Sequence, residues 1–241
     1  MNDVRGTGPV RPNLWAGRLT SYAFSVEAAI GQNPMRYLVA RRFDENHPAR
    51  ALTVLFVVRP QVLFGTYVRI DEGAAGGDCA VHTFLPTMAR PVRVAETHVF
   101  DCLPLTDVGY LDLMAWPHPA LRVMRSDGTE NLDAAPATTI QYQGPPSVPA
   151  LLVCEEIDAE LSVVTRRILY RDGRQVRRWE VTARGAAGQE SLPLRIKVAR
   201  PQTGHETEFV RDTPAVPVPP EVFDEAPARL RELIEQRLFR R

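Results

Sequence analysis

The chain has 241 residues, of which 44% are hydrophobic, and it carries 29 basic and 29 acidic side chains. That hydrophobic content can bury a core and excludes a generically disordered chain. A formal net charge of zero argues against a protein that binds the nucleic-acid backbone, because such binding needs a surplus of positive charge. Lys197 is the single lysine, and we attribute this preference for arginine to the codon usage of a GC-rich genome.

The start of the chain and its cysteines bear on the compartment. No apolar run of signal-peptide length follows Met1, and no stretch approaches the ~20 apolar residues of a membrane-spanning helix. We therefore expect a cytoplasmic protein without integral membrane association. Cys79, Cys102 and Cys154 are odd in number and widely spaced, so they predict neither a disulfide framework nor paired metal ligands. We interpret them as small buried side chains.

Alternating apolar and polar residues predict strands through most of the chain. Residues 22–30 alternate in this way, whereas 52–58 are apolar on both faces, so we expect both faces of that strand to be covered. Asp172-Gly173 predicts a tight hairpin turn. The other predicted strands cover residues 35–43, 63–70, 80–85, 92–99, 150–157, 161–170, 174–183, 192–200 and 205–211.

Two helices are predicted beside these strands. Thr106 and Asp107 can cap a helix over residues 108–116, which Pro117 ends. Apolar residues at helical spacing predict a second helix over 228–238. Residues 126–136 and 144–146 are rich in turn-forming residues and are predicted to be loops.

The sum of these elements is a mainly β (α+β) chain, and we expect residues 1–241 to form one domain around a strongly curved antiparallel sheet. About ten strands in one sheet should curl or close. The concave apolar side must then be covered by the 108–116 helix, by the C-terminal helix or by a ligand. We expect an irregular segment at 1–20, a lid-helix insertion at 105–118 and a C-terminal helix within 224–241.

A search for catalytic and cofactor motifs finds no phosphate-binding loop, no dinucleotide fingerprint and no nucleophile-elbow serine. The five histidines are far apart in sequence, so we predict no metal site and no cofactor. Glu155 and Glu156 are adjacent in a strand and should point to opposite faces. The polar side chains that could serve as an acid or a base are His98, Asp107, Tyr110, Asp112, Glu155 and Glu156.

Large apolar side chains on the predicted strands and helix are candidates for lining a ligand cavity, although packing in a core is the alternative for each of them. The sequence leaves open whether Arg59, Arg69, Arg166 or Arg177 lies at the mouth of such a cavity and holds an anionic group. The predicted ligand-binding residues are Phe56, Phe64, Tyr67, Leu113, Trp116, Trp179, Ile196 and Phe209.

Several short motifs occur in a characteristic order. They are LTVLFVVRP at 52–60, QVLFGTYVRI at 61–70, HTFLP at 82–86, PVRV at 91–94 and LTDVGYLDL at 105–113, followed by YRDGRQV at 170–176, LPLRI at 192–196, TEFV at 207–210 and PPEVF at 219–223. This order resembles the outer-membrane lipoprotein-sorting protein family, a branch of the periplasmic lipoprotein-carrier superfamily. The resemblance covers about residues 35–225.

The resemblance implies a half-barrel whose apolar concave side is closed by helical lid segments and holds acyl chains, with the helix at 108–116 as part of the lid. The chain departs from the family in showing no signal peptide. We therefore expect a cytosolic carrier or binding protein for a hydrophobic small molecule, lipid-like or polyketide-like. The alternatives are a cofactor-independent cyclase or isomerase of natural-product biosynthesis that uses the same cavity, and an interaction domain with a collapsed core. The sequence leaves the oligomeric state open.

Overall fold

The computed structural model of the chain describes residues 11–31, 33–47, 49–73, 77–129, 137–184 and 192–239. Within these ranges, fourteen strands form one open antiparallel sheet. The strands are β1 Ser21–Ile30, β2 Asn33–Phe43, β3 Ala51–Arg59, β4 Tyr67–Glu72, β5 Cys79–Phe84, β6 Val92–Arg93, β7 Arg122–Thr129, β8 Ala137–Gln143, β9 Leu151–Asp158, β10 Val164–Arg171, β11 Arg174–Arg184, β12 Pro193–Arg200, β13 His205–Arg211 and β14 Val216–Pro217.

The order of the strands explains why one connection covers the sheet. The order is β6-β5-β4-β3-β2-β1-β13-β12-β11-β10-β9-β8-β7, and β14 pairs with the N-terminal part of β1. The chain therefore runs outward from β1 to the β6 edge, crosses to the β7 edge and returns to β1. The crossing includes a short helix, α1 Tyr110–Leu113. We call residues 99–118 of this crossing the lid segment.

The two faces of the sheet bury two separate apolar clusters. The larger cluster combines side chains from strands far apart in the sheet, such as Val39 on β2 and Trp179 on β11, with Leu103 and Met114 of the lid segment. Side chains so distant along the sheet can share one cluster only on the concave face. The sheet is thus a strongly curved half-barrel, as predicted, and the lid segment closes its concave side.

The second cluster lies on the convex face. Helix α2, Pro227–Phe239, buries Leu230 and Ile234 against Leu38 and Val54 of β2 and β3. This explains why β3 is apolar on both faces: one face contacts the concave cluster and the other contacts α2. The covering helix of the concave face is therefore in the lid segment, and the C-terminal helix covers the opposite face.

Most predicted strands are present at their predicted positions, and the Asp172-Gly173 turn is confirmed. Asp172 and Gly173 have φ angles of 50° and 72°, and they join β10 to β11. Positive φ at both central residues is the requirement of a type I′ hairpin turn, which glycine meets without steric cost.

Two predicted strands and one predicted loop are corrected. The strand predicted over 63–70 begins only at Tyr67, because a 3₁₀ turn at Gln61–Leu63 and a positive φ of 91° at Gly65 precede it. The strand predicted over 92–99 consists only of Val92–Arg93, because the chain leaves the sheet after Arg93 and forms a 3₁₀ turn at Glu96–His98. The predicted loop 126–136 begins inside β7, and residues 130–136 lie outside the described part of the chain.

The helix predicted over 108–116 has only four residues, Tyr110–Leu113. The backbone N–H groups of Ala115 and Trp116 donate to the Glu72 carboxylate on β4, at 2.8 and 2.9 Å, so they do not continue the helical ladder. Gly109 precedes the helix, and its N–H donates to Asp112 Oδ2 at 3.1 Å. Asp107, predicted to cap the helix, pairs instead with side chains of the sheet.

Candidate functional site: an apolar cavity with a buried ionic network

An apolar cavity of about 60 Å³ lies between the concave face and the lid segment. Side chains of the sheet form most of its wall, and Val108 and Leu113 close it from the lid. Leu14, from the segment that precedes β1, closes it beside them. The sheet residues that line the cavity are Phe24, Val26, Tyr37, Val39, Leu55, Trp179, Ile196, Val198 and Phe209.

Arg41 holds one end of the lid segment against the sheet. Its guanidinium lies on the concave face and donates to the backbone carbonyls of Asn13 and Leu113, and its Nε donates to Thr53 Oγ1 at 2.8 Å. The Asn13 side chain in turn donates to the Asp112 carbonyl at 2.7 Å. One arginine thus connects β2 both to the lid segment and to the N-terminal segment.

Glu72 forms the second polar tie at this end, through the two lid N–H groups described above. Burial raises the pKa of this carboxyl, while the nearby Arg41 charge and the two N–H donors act in the opposite direction. The last turn of the lid is thereby fixed by side-chain hydrogen bonds in place of helical ones.

The centre of the lid segment is held by four buried charges. Asp112 of α1 pairs with Arg177 of β11 and, at 3.2 Å, with Arg167 of β10. Arg167 also pairs with Glu155 of β9 at 2.6 Å. None of these four side chains is more than 8% exposed. Burial alone would lower the pKa of Arg177, but the charge of Asp112 raises it above its ordinary value, so the guanidinium stays charged.

Asp107 anchors the part of the lid segment that precedes α1. Its carboxylate meets Arg200 at 2.7 Å and His205 Nε2 at 2.6 Å, and it accepts a hydrogen bond from Thr207 Oγ1 at 2.5 Å. All three partners come from β12 and β13. Further out, Asp101 pairs with Arg171 at 2.7 Å, and both side chains are partly exposed.

A cleft of about 980 Å³, lined by both polar and apolar side chains, adjoins the cavity on the Asp107 side. Asp107 borders both spaces, and Arg171, Arg177, Arg200 and His205 line the cleft. Cys102 also lines it, but burial raises the pKa of this thiol, so it stays protonated and is a poor nucleophile. The concave side therefore combines an apolar cavity with an arginine-lined entrance.

The structure brings some of the predicted acid–base residues together and separates others. Asp107, Asp112 and Glu155 belong to the concave network. Tyr110 is buried in the lid, and burial raises its pKa. The two remaining candidates lie elsewhere: His98 is largely exposed and pairs with Asp101, and Glu156 pairs with Arg166 on the convex face. A catalytic role for any of these six residues stays a prediction.

The predicted ligand-binding residues also divide between the two faces. Leu113, Trp179, Ile196 and Phe209 line the concave cavity. The other four lie outside this cavity, and a role of any of the eight residues in ligand binding stays a prediction. Phe56 and Tyr67 pack in the convex cluster, Phe64 is partly exposed and stacks under Arg231 of α2, and Trp116 lies beyond the cavity at the end of the lid. Because β3 is covered on both sides, its apolar pattern could not indicate which side holds Phe56.

Four site residues were not predicted from the sequence: Arg41, Arg167, Glu72 and His205. A signal was present for the two arginines, because period-two alternation places Arg41 on the face of Val39 and Arg167 on the face of Leu169. Of the four arginines considered as a group at the cavity mouth, Arg177 reaches the network, whereas Arg166 pairs with glutamates on the convex face. Arg69 pairs with Asp71 of its own strand.

Within the described residues, no three His, Cys, Asp or Glu side chains are grouped so that they could hold a metal ion. The same part of the chain contains no helix that is long and apolar enough to cross a membrane.

Several solved structures are similar in fold to this chain. A protein of the DUF1329 family from Desulfovibrio piger superposes with a TM-score of 0.64 at 14% identity, covering 81% of this chain and 85% of that one. A putative outer membrane lipoprotein-sorting protein domain from Vibrio parahaemolyticus gives 0.64 at 11% identity, with coverages of 80% and 83%. A LolA superfamily protein from Nitrosomonas europaea gives 0.61 at 15% identity, with coverages of 89% and 94%.

These likenesses confirm the resemblance that the sequence motifs predicted, at the level of the fold. The chain has the LolA-like half-barrel fold. No family model matches the sequence. No curated protein matches it either. The function must therefore be argued from the site.

Proposed function

We propose that this protein is a carrier or binding protein for a hydrophobic small molecule, which it holds between the concave face and the lid segment. The observation that carries the proposal is the apolar cavity under a lid segment that packs apolar side chains such as Leu103 and Met114 onto the concave face and is also held by polar contacts. A hydrophobic ligand pocket fits a fold whose neighbours include a lipoprotein-sorting domain. When the lid moves, its polar contacts can be replaced by hydrogen bonds to water, whereas the apolar wall of the cavity cannot form such hydrogen bonds.

The size of the cavity implies that loading displaces the lid segment. An engineered apolar cavity of about 150 Å³ binds a molecule as small as benzene, and the space here is about 60 Å³. An acyl chain therefore cannot enter the closed form. Moving the lid segment away joins the cavity to the adjoining cleft of about 980 Å³, which has room for a chain.

The proposal is tested with two twelve-carbon probes, dodecan-1-ol and dodecanoate, titrated against the purified protein and followed by native mass spectrometry. At least one probe should form a one-to-one adduct. In the variant Val198→Phe the added ring fills part of the cavity, and we expect adduct formation to weaken by about tenfold or more, equivalent to about 1.4 kcal/mol.

A matched control is available on the same strand. Lys197 neighbours Val198, points to the opposite face and forms a partly exposed pair with Glu206 at 2.7 Å. Lys197→Phe should bind the probes as the unchanged protein does. Absence of an adduct with both probes, or equal weakening in both variants, would overturn the proposal.

We also propose that the protein works in the cytoplasm. All three cysteines are free, which suits a reducing compartment. Fractionation of cells that express the protein from its own promoter tests this, and recovery outside the cytoplasmic fraction would contradict it. The alternative of a cofactor-independent cyclase or isomerase uses the same cavity. We place it second because Asp107, Asp112 and Glu155 are all engaged by arginines.

A further inference from the structure

The ionic network beneath the lid segment divides unequally between the sheet and the lid. The sheet contributes three arginines, Arg167, Arg177 and Arg200, and one carboxylate, Glu155. The lid segment contributes two carboxylates, Asp107 and Asp112. The network is balanced only while the lid is closed. Displacing the lid leaves the sheet's part of this network with two positive charges in excess, beside an apolar surface.

Two of these arginines also carry a buried donor that has no acceptor in the described part of the protein. The Nε–H groups of Arg177 and Arg200 are both inaccessible and unpaired. Both side chains line the cleft that adjoins the cavity. A buried donor without an acceptor costs free energy, so an oxygen-rich group bound at this position gains more than one bound at a satisfied surface.

The contacts of Asp112 show which kind of chemical group these arginines bind. Both of its carboxylate oxygens meet Arg177, and one of them also meets Arg167. Guanidinium groups bind carboxylates and phosphates in this two-point manner, through short charge-assisted hydrogen bonds. The lid carboxylates therefore occupy the positions that an anionic ligand group would take.

We propose that the ligand is an amphiphile with an apolar chain and an anionic head, a carboxylate or a phosphate, which replaces Asp112 and Asp107 at Arg177, Arg167 and Arg200 when the lid segment is displaced. This inference rests on the proposed carrier function and specifies its ligand class. The chain occupies the apolar cavity, and the head lies at the boundary with the cleft, where Asp107 lies in the closed form.

The test compares three probes with the same twelve-carbon chain: dodecan-1-ol, dodecanoate and dodecyl phosphate. Dissociation constants are measured at neutral pH for the full chain. Charge-assisted hydrogen bonds favour the two anions, and we expect them to bind about tenfold to a hundredfold more tightly than the alcohol. A preference for one anion over the other identifies the head as a carboxylate or a phosphate, and either preference supports the proposal.

The failure of this inference is distinguishable from the failure of the carrier function. If all three probes bind with equal affinity, the carrier function stands and the anionic head is rejected. If none of the three binds, the carrier function fails and this inference fails with it. The comparison needs no variant, so it does not depend on how a substitution affects folding.

A pair of variants on one strand tests the assignment to Arg177. Arg177→Gln should remove most of the preference for the anions, measured as the ratio of their affinities to the alcohol's affinity in the same variant, because a loosened lid changes the binding of all three probes alike. Arg178→Gln is the control, because Arg178 lies on the opposite face, partly exposed and 3.6 Å from Glu180. If Arg177→Gln does not fold, Asp112→Asn should instead increase the preference, because it releases Arg177. An unchanged preference in the variants of Arg177 and Asp112 overturns the assignment.

Discussion

Arg167 exposes 4% of its side chain and Asp112 exposes 8%, so both have lost almost all of their hydration. Removing a charge from water costs several kcal/mol, and a partner must offset this cost. Arg167 has two such partners, Glu155 and Asp112, and a backbone acceptor at Leu111. At the scale of single residues, the lid segment is therefore held by charges that each depend on the others.

This dependence predicts a large effect for one substitution. Asp112→Ala leaves Arg177 buried without its carboxylate and should destabilise the fold by about 3–5 kcal/mol in urea unfolding. Asp101→Ala removes a pair whose side chains are 43% and 36% exposed, and it should cost about 1 kcal/mol or less. Equal effects of the two substitutions would show that the buried network does not hold the lid.

A second residue-scale prediction concerns pH. His118, at the end of the lid segment, packs its ring edge-on against Phe100, and its Nδ1 accepts the Ala120 N–H. Burial lowers the pKa of this imidazole below its ordinary value of 6.5. Below about pH 6.5, the imidazole of His118 binds a proton more readily in the unfolded chain than in the folded chain. The free energy of unfolding therefore falls as the pH falls.

The measurement is the melting temperature between about pH 7.5 and about pH 5.5, across the range in which an unperturbed histidine titrates. His118→Asn keeps an acceptor near the Nδ1 position but does not titrate in this range. It should lose less of its melting temperature than the unchanged protein on going to the lower pH. Parallel curves for the two proteins would exclude His118 as a source of the pH dependence.

The residue scale also shows what the sequence could predict of the site. Alternation correctly predicted that Glu155 and Glu156 face opposite sides. Trp179 and Phe209, which were predicted to bind a ligand, line the cavity, and their role in binding stays a prediction. The ionic partners could not be predicted, because Asp112 and Arg177 are 65 residues apart in sequence. Their pairing depends on how the lid segment crosses the sheet.

At the scale of elements, the two helices cover opposite faces. The lid segment crosses between the two edges of the sheet because β6 and β7 are consecutive in the chain but lie at opposite ends of the strand order. Helix α2 follows β14, which pairs with β1, and so it reaches the convex face of β1 to β3. Sequence patterns found both helices, but no local pattern specifies which face a helix covers.

This separation of faces predicts that stability and ligand binding respond to different substitutions. Ile234 of α2 is fully buried on the convex face, and Ile234→Ala should cost about 2–5 kcal/mol in urea unfolding. Probe affinity of the folded variant should remain unchanged, because the cavity lies on the other face. Glu232→Ala, at an exposed position of the same helix, is the control and should change stability by about 0.5 kcal/mol or less.

A loss of probe affinity in folded Ile234→Ala would contradict this account. It would mean that the ligand lies under α2, near the convex cluster, and not under the lid segment.

At the scale of the whole molecule, the open half-barrel follows from the number of strands and their antiparallel order. The sequence predicted about ten strands in a curved sheet, and the structure adds the pair β7 and β8 at one edge. Much of β7 is polar or exposed, with Val123 and Met124 both facing solvent, so burial periodicity could not indicate it. Its strand structure comes from pairing with β8, which is a tertiary effect.

The half-barrel leaves a concave side that its own strands do not fill, and the lid segment occupies most of it. The proposed carrier function gives this shape two forms: the closed form described here, in which the lid carboxylates neutralise the sheet arginines, and a proposed loaded form, in which a ligand takes the place of the lid. The closed form described here has about 60 Å³ of remaining apolar space.

Hydrogen–deuterium exchange of the lid amides tests most directly whether a bound ligand displaces the lid segment. The N–H groups of Gly109, Ala115 and Trp116 donate to Asp112 and Glu72 in the closed form. We expect saturation with dodecanoate to accelerate the exchange of these three amides. The amides that pair β2 with β3 should exchange at an unchanged rate. A one-to-one adduct formed with unchanged or slower exchange at the three lid amides would contradict a ligand site beneath the lid segment.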